Sequence, residues 1–288
     1  MFYSIKELVE QAQDYPSVAA LMVATEAENT GRSESAIRSL MARNLDVMAE
    51  SITKGIAGVK SVTGLTGGDA KRLDQYLGDG TSYLGPIALA AVRNAVAVNE
   101  VNAQMGLICA TPTAGSAGVV AGTLMAVREP FHLTREQQVD YLFTAGAFGL
   151  VIANNAGIAG AEGGCQAEVG SASAMASATL VQARGGDAEM AAQAAAISIA
   201  NLMGLVCDPV AGLVEVPCVK RNAMGAAQAL TSADMALAGM KSVIPPDEVI
   251  AAMDAVGKQM PSAFRETAEG GLAATPTGRR IQRRIFGD

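Results

Sequence analysis

Apolar residues recur along most of this chain with the period of a helix. From Ser33 onward, Ile37, Leu40, Met41, Leu45, Met48 and Ile52 line one helical face, and no segment sustains the alternation of a half-buried strand. Polar residues punctuate the pattern as caps. Ser4 and Glu7 have capping-box spacing before a short helix closed by Pro16, and a second amphipathic run extends from Ser17 to about Asn29. Thr134 and Gln137 open a long helix in the same way. Asp187 caps an alanine-rich helix ending near Gly204, and Pro246 occupies a first helical turn. Residues 86–102 are again periodic, and after a break at Pro112 helix resumes to about Val127. Between these runs, residues 55–85 are rich in Gly, Thr and Asp and predict irregular structure around GLTGGDAKRL at 64–73. The whole predicts an all-α fold. With no Pro/Ser-rich linker, the chain reads as one large helical domain spanning 1–288.

Composition sets what the core is made of. Hydrophobic residues make up 50% of the chain but aromatics only 4%, so Ala, Val, Leu, Ile and Met must fill it. Residues 101–127 and 141–161 carry no charge, yet Pro112, Asn154, Asn155 and several glycines interrupt them. They are also poor in the Leu, Ile and Phe of a membrane span, so they predict buried helices instead, with no membrane association. Lys and Arg number 21 against 28 Asp and Glu, leaving a net charge of −7. No basic field for a phosphate backbone follows from that balance, which excludes nucleic acid as the main partner. Arg279, Arg280, Arg283 and Arg284 cluster in the tail, as a solvated helix end or a docking element does. MFYSIKELVE at the N-terminus lacks the basic flank and apolar run of a signal peptide, predicting a cytoplasmic protein.

Cys109, Cys165, Cys207 and Cys218 are the first candidates for chemistry. Four cysteines without a short-range framework suggest free thiols or metal ligands in a reducing compartment. A buried, inert cysteine is the plain alternative. The surroundings favour metal for three of them: GAEGGCQAEVG at 160–170 and GLVCDPVAGLVEVPC at 204–218 are rich in Gly and Pro. In a straight helix Cys207 and Cys218 would stand about 16 Å apart along the axis, but Pro209 and Pro217 forbid that helix. A Pro-bounded loop containing Gly212 can fold back, and Gly163 and Gly164 free the backbone before Cys165. Zinc fits less well than an iron–sulfur centre, since no Cys-x-x-Cys pair and no nearby histidine occur.

Five strings together resemble one family. AVNEVNAQMG at 97–106, TPTAGSAG at 111–118, GAEGGCQAEVG at 160–170, NLMGLVCDPVAGLVEVPCVKRNAM at 201–224 and FRETAEGGLA at 264–273 are similar to the α subunit of iron–sulfur-dependent L-serine dehydratase. The likeness runs from about residue 55 onward. It implies a largely helical catalytic subunit whose Gly-rich loops surround a buried 4Fe-4S cluster on Cys165, Cys207 and Cys218. The implied reaction converts L-serine to pyruvate and ammonia. Three thiolate ligands leave one iron open to act as a Lewis acid on the serine hydroxyl, while a base removes the α-proton. Single-chain members carry a further cysteine near the C-terminus that can occupy the fourth iron, whereas RRIQRRIFGD at 279–288 has none. In the family a separate β subunit or domain supplies histidine and serine-binding groups. The expectation is therefore a heteromer with a β partner that brings the base.

Cys109 lies outside the cluster motifs and reads as a buried hydrophobe. The single histidine, His132 in REPFHLTREQ, reads as a surface loop residue. Substrate-binding candidates are Lys71 in the Gly-rich loop, Thr111 and Thr113 after the Pro112 break, and Asn99 and Asn155 in apolar surroundings. Ser116 can donate with the two threonines, or all three can cap the following helix. Asn102 and Glu168 are further polar residues among small neighbours, and Asp208 fits an Asp-Pro turn. Three rival readings stand beside the family reading. A related cluster enzyme would eliminate sulfide from cysteine; a non-enzymatic cluster carrier would need Cys109 as a fourth thiolate; a pyridoxal-phosphate dehydratase would need more than GLTGGDAK to hold its cofactor.

Overall fold

The computed structural model describes residues 1–287 and is built from helices. The first half contains α1 (Ile5–Ala12), α2 (Val18–Thr30), α3 (Glu34–Ala57), α4 (Asp69–Gly78), α5 (Gly85–Ala103), α6 (Gly118–Val127) and α7 (Arg135–Asn155). A single turn α8 (Gly160–Gly163), α9 (Ser171–Ala183), α10 (Ala188–Leu202), α11 (Cys218–Leu237), α12 (Pro246–Gln259) and α13 (Pro276–Phe286) follow. The only strand-like element among the described residues is one parallel bridge between Cys207 and Arg265. None of the described helices is long and apolar enough to cross a membrane.

The predicted caps at Ser4, Thr134 and Asp187 are present, and Ser17 and Ser33, where apolar runs begin, cap as well. Ser4, Ser17, Ser33 and Asp187 each accept a backbone N–H three residues on, and Thr134 with Gln137 closes a full capping box. One element differs from the sequence expectation. Residues 69–78 form α4 within the segment read as irregular. Gly68 gives it no side-chain cap; Glu100 on α5 does, accepting from Asp69 N at 2.7 Å and Ala70 N at 3.3 Å. A cap 31 residues away is invisible to a local reading.

Helices α5, α6, α9 and α11 form the centre, with α3 and α4 against α5 and with α7 and α10 against α9. Small residues let them approach closely. A Cβ on Gly118 would collide with the carbonyl of Ala95 on α5, and one on Gly122 would lie 2.8 Å from the Ala95 nitrogen. Gly55 of α3 meets the backbone of Ala97 in the same way. Close backbone approach is how a core with few aromatics reaches interior packing density. It also explains why 101–127 and 141–161 are uncharged: α6 and most of α7 are buried in protein.

Candidate functional site

The three Gly/Pro-flanked cysteines come from three separate places. Cys165 follows Gly164, whose φ of +74° and tight contact with Met260 suit glycine alone. It precedes a π-helical turn, Gln166–Gly170, that leads into α9. Gln166 stitches this turn to its neighbours: its amide donates to Met253 O at 2.9 Å, and its carbonyl accepts from Gly204 N at 2.8 Å. Cys207 lies on the segment leaving α10. Its N–H donates to Phe264 O and its carbonyl accepts from Glu266 N, both at 2.8 Å, so the 264–266 segment is laid alongside it. Cys218 is the first residue of α11, after Pro217. Between Cys207 and Cys218 the chain folds back through a turn at Val210–Gly212, closed by Val210 N to Val216 O at 2.8 Å. Glu215 pins that loop by accepting from Thr63 and Thr66 hydroxyls at 2.7 and 3.0 Å.

All three sulfurs are buried and none is in a disulfide. Burial pushes the Cys165 thiol up to about 11 and Cys218 up to about 12. Cys207 is raised further, by burial first and then by the neighbouring Cys165, Glu168, Cys218 and Glu266. The trio therefore shares one electrostatic site, and Cys109, raised by burial alone, stands apart from it. Cys109 is half-buried against the core.

Two carboxylates and one guanidinium complete the surroundings. Glu168 accepts from Thr113 Oγ1 at 2.8 Å. Its pKa is raised, chiefly by burial and with a contribution from Glu266, against the lowering effect of Thr113. A Cβ on Gly160 would stand 2.8 Å from Glu168 Oε2 and 3.1 Å from Cys207 Sγ, so that glycine leaves open the corner between carboxylate and sulfur. Glu266 sits in the left-handed region at φ +66°, with Ala268 at +58°. Two such non-glycine residues in one short strap are a local strain of the kind that gathers at functional sites. Arg221, one turn into α11, donates to Asp208 Oδ1 at 2.7 Å and to Val206 O at 2.6 Å, and its positive charge acts to lower the Cys165 thiol's pKa against burial.

The donor set fits an iron–sulfur cluster. It offers soft thiols only, a small-residue cradle at Gly160 and one cation, Arg221, acting on the thiols, the features that hold such a centre. Among the described residues no three His, Cys, Asp or Glu side chains gather around the position of a single ion. A polynuclear centre with its own sulfide reaches across a wider set of thiols.

The remaining sequence candidates divide. Thr113 joins the site through Glu168. Thr111 lies in the same loop, its carbonyl accepting from Ser116 Oγ at 3.1 Å. Asn99 is buried beneath that loop and donates to Gly115 O at 3.0 Å, leaving its own Oδ1 without a partner. Asn155 is placed elsewhere, donating to Tyr3 O and Val151 O at the end of α7. Lys71 is exposed on α4. His132 is exposed in its loop at φ +53°. Neither Thr111, Thr113 nor Ser116 caps α6 with its side chain. Asn222 of α11 does so, accepting from Gly118 N at 3.0 Å and donating to Gly115 O at 2.7 Å and Cys218 O at 3.0 Å. Asn222→Ala is expected to cost about 2–3 kcal/mol, because it strands the buried Gly118 N–H while Gly115 O keeps Asn99. Urea unfolding of the metal-free chain measures it; a loss below about 0.5 kcal/mol would show that the 111–118 loop does not depend on α11.

Arg221, Asp208 and Glu266 are site residues that sequence reasoning missed. Their pairing runs across segments 13 residues or more apart, and only the recurrence of charged residues inside Gly/Pro-rich strings hinted at it.

The model of the serine dehydratase alpha chain family matches residues 14–273. A probable L-serine dehydratase, alpha chain, from Bacillus subtilis (strain 168) is 59% identical over 288 residues, 100% of this chain and 96% of that protein. The L-serine dehydratase, alpha chain, of Peptoniphilus asaccharolyticus is 46% identical over 91% of this chain and 90% of its own length. An L-serine dehydratase from Mycobacterium tuberculosis (strain CDC 1551 / Oshkosh) is 35% identical over 94% of this chain, but only 61% of that protein is covered.

Proposed function

The chain belongs to the serine dehydratase alpha chain family, and from that premise we propose that it is the cluster-bearing subunit of a two-subunit L-serine ammonia-lyase. The products are pyruvate and ammonia. The observation that carries the reading is the convergence of Cys165, Cys207 and Cys218, three buried thiols from three segments, beside Glu168. The two-chain organisation draws on the relatives. Those named alpha chain are covered almost whole, whereas the tuberculosis protein extends well beyond the aligned region.

Cys165, Cys207 and Cys218 would hold a 4Fe-4S cluster, which when bound supplies a Lewis-acidic iron without a protein thiolate, able to draw charge from a departing hydroxyl. This chain's own residues prepare the place. Thr113 orients Glu168 through Oε1, leaving Oε2 to hold a proton for the leaving oxygen. Burial, which raises that carboxyl, favours its protonated form. Burial of all three cysteines keeps bulk water from the sulfurs. The α-proton goes to a base on the partner, because the one histidine here is exposed and remote in sequence from the thiols. The aminoacrylate released hydrolyses to pyruvate and ammonium.

Anaerobic reconstitution with iron and sulfide, with and without the β partner, tests this through pyruvate formation from L-serine. The proposal expects activity only in the complex and loss of that activity in air. Activity that is indifferent to air and chelators would overturn it. A preference for L-cysteine with sulfide release would move the chain to the desulfidase reading.

A further inference from the structure

We infer that Arg221, positioned by Asp208, is the charge that balances the thiolate cage and holds up the reduction potential of the cluster bound there. The inference rests on the proposed function only in requiring a cluster on the three cysteines.

The geometry is that of a hub. From one planar guanidinium, bonds run to the carbonyl of Val206, which precedes Cys207, and to the carboxylate of Asp208, which follows it, and its charge acts on the Cys165 thiol. Arg221 itself stands three residues beyond Cys218 on α11. All three anchors are thereby tied to a single cation. Its side chain is 14% exposed and that of Asp208 is 4% exposed, so solvent screens neither well.

Asp208 is fixed from its other side. Its Oδ2 accepts from Leu272 N at 2.7 Å, and a Cβ on Gly271, at φ +56°, would collide with it. The strap that carries Glu266 into the site thus locks the carboxylate that aims the guanidinium. A lysine could supply the charge but not the two-way fork onto Val206 O and Asp208.

The charge count gives the arrangement its consequence. Three thiolates and Glu266 press on one point, beside a Glu168 held in its protonated form, and Arg221 is the cation felt by Cys165 and Cys218. A fixed positive charge beside a cluster stabilises its electron-rich state, and hydrogen bonds to ligand sulfur act in the same direction. Asp208, carrying the opposite charge on the same guanidinium, partly cancels the effect while holding the geometry. The two residues therefore pull the potential in opposite directions, which a purely structural ion pair would not do.

The test is an EPR-monitored redox titration of the reconstituted α–β complex in four forms: wild type, Arg221→Gln, Arg221→Lys and Asp208→Asn. Arg221→Gln is expected to shift the midpoint to lower potential and Asp208→Asn to higher potential, with Arg221→Lys close to wild type. Shifts of the same sign in Arg221→Gln and Asp208→Asn, or none in either, would overturn the inference. If Arg221→Gln fails to retain iron while Arg221→Lys retains it, the need for a cation is upheld and Asp208→Asn still supplies the sign. If Arg221→Lys loses the cluster as fully as Arg221→Gln, charge is not what Arg221 provides and the inference fails. Absence of any cluster in the wild type would instead defeat the proposed function, so the two failures are distinct.

Discussion

Alanine at Cys165, Cys207 or Cys218 is expected to abolish both iron retention and serine deamination, while Cys109→Ala leaves each at the wild-type level. The asymmetry follows from placement. The trio occupies one buried electrostatic site, with Cys207 sensing both of the others, whereas nothing but burial acts on Cys109. Loss of one of three thiolates leaves two anchors on separate segments, too few to retain a cluster against chelation. The three cysteine segments are also held by the protein itself: Gln166 fixes the first, the Arg265 bridge the second and Asn222 the third. The alanine variants should therefore fold, and their melting curves without metal should lie close to wild type. Iron and acid-labile sulfide per chain, measured beside pyruvate formation, check the expectation. Loss of the cluster in Cys109→Ala would mean a fully thiolate-ligated centre and would favour the electron-carrier reading.

Glu168→Gln is expected to lower kcat by about 10²–10³-fold while iron content stays unchanged, the size typical of a lost general acid. Glutamine keeps an oxygen for the Thr113 hydroxyl but cannot deliver a proton at the position of Oε2. The pH dependence gives the second signature. A general acid works in its protonated form, so activity falls as pH rises through its pKa. Burial raises that pKa and so carries the active range upward. In Glu168→Gln this limb should vanish, leaving only the limb that belongs to the partner's base. A kcat within twofold of wild type would remove Glu168 from the proton path.

Much of the fold is written in local signals. Ser4, Ser17, Ser33, Thr134 and Asp187 announce their helices because a side-chain cap acts within three residues. Pro209 and Pro217 likewise announce a folded-back loop, because proline excludes helix from sequence alone. What escaped depends on distant partners. Helix α4 starts where Glu100 reaches it, and α6 starts where Asn222 reaches it, 104 residues away in the chain. The turn after Asp208 lies at Val210–Gly212, and the Asp208 carboxylate is given over to Arg221 and Leu272. Asn155 illustrates the converse. Its small, apolar neighbours suggested a site, and it serves instead to hold the N-terminal segment against α7.

Mössbauer spectroscopy of the ⁵⁷Fe-loaded complex, recorded with and without L-serine, bears most directly on the idea of three cysteine anchors and one open iron. That idea predicts that a single iron of the four acquires distinct parameters when serine is added, with the other three unchanged. Four equivalent irons, indifferent to substrate, would contradict it.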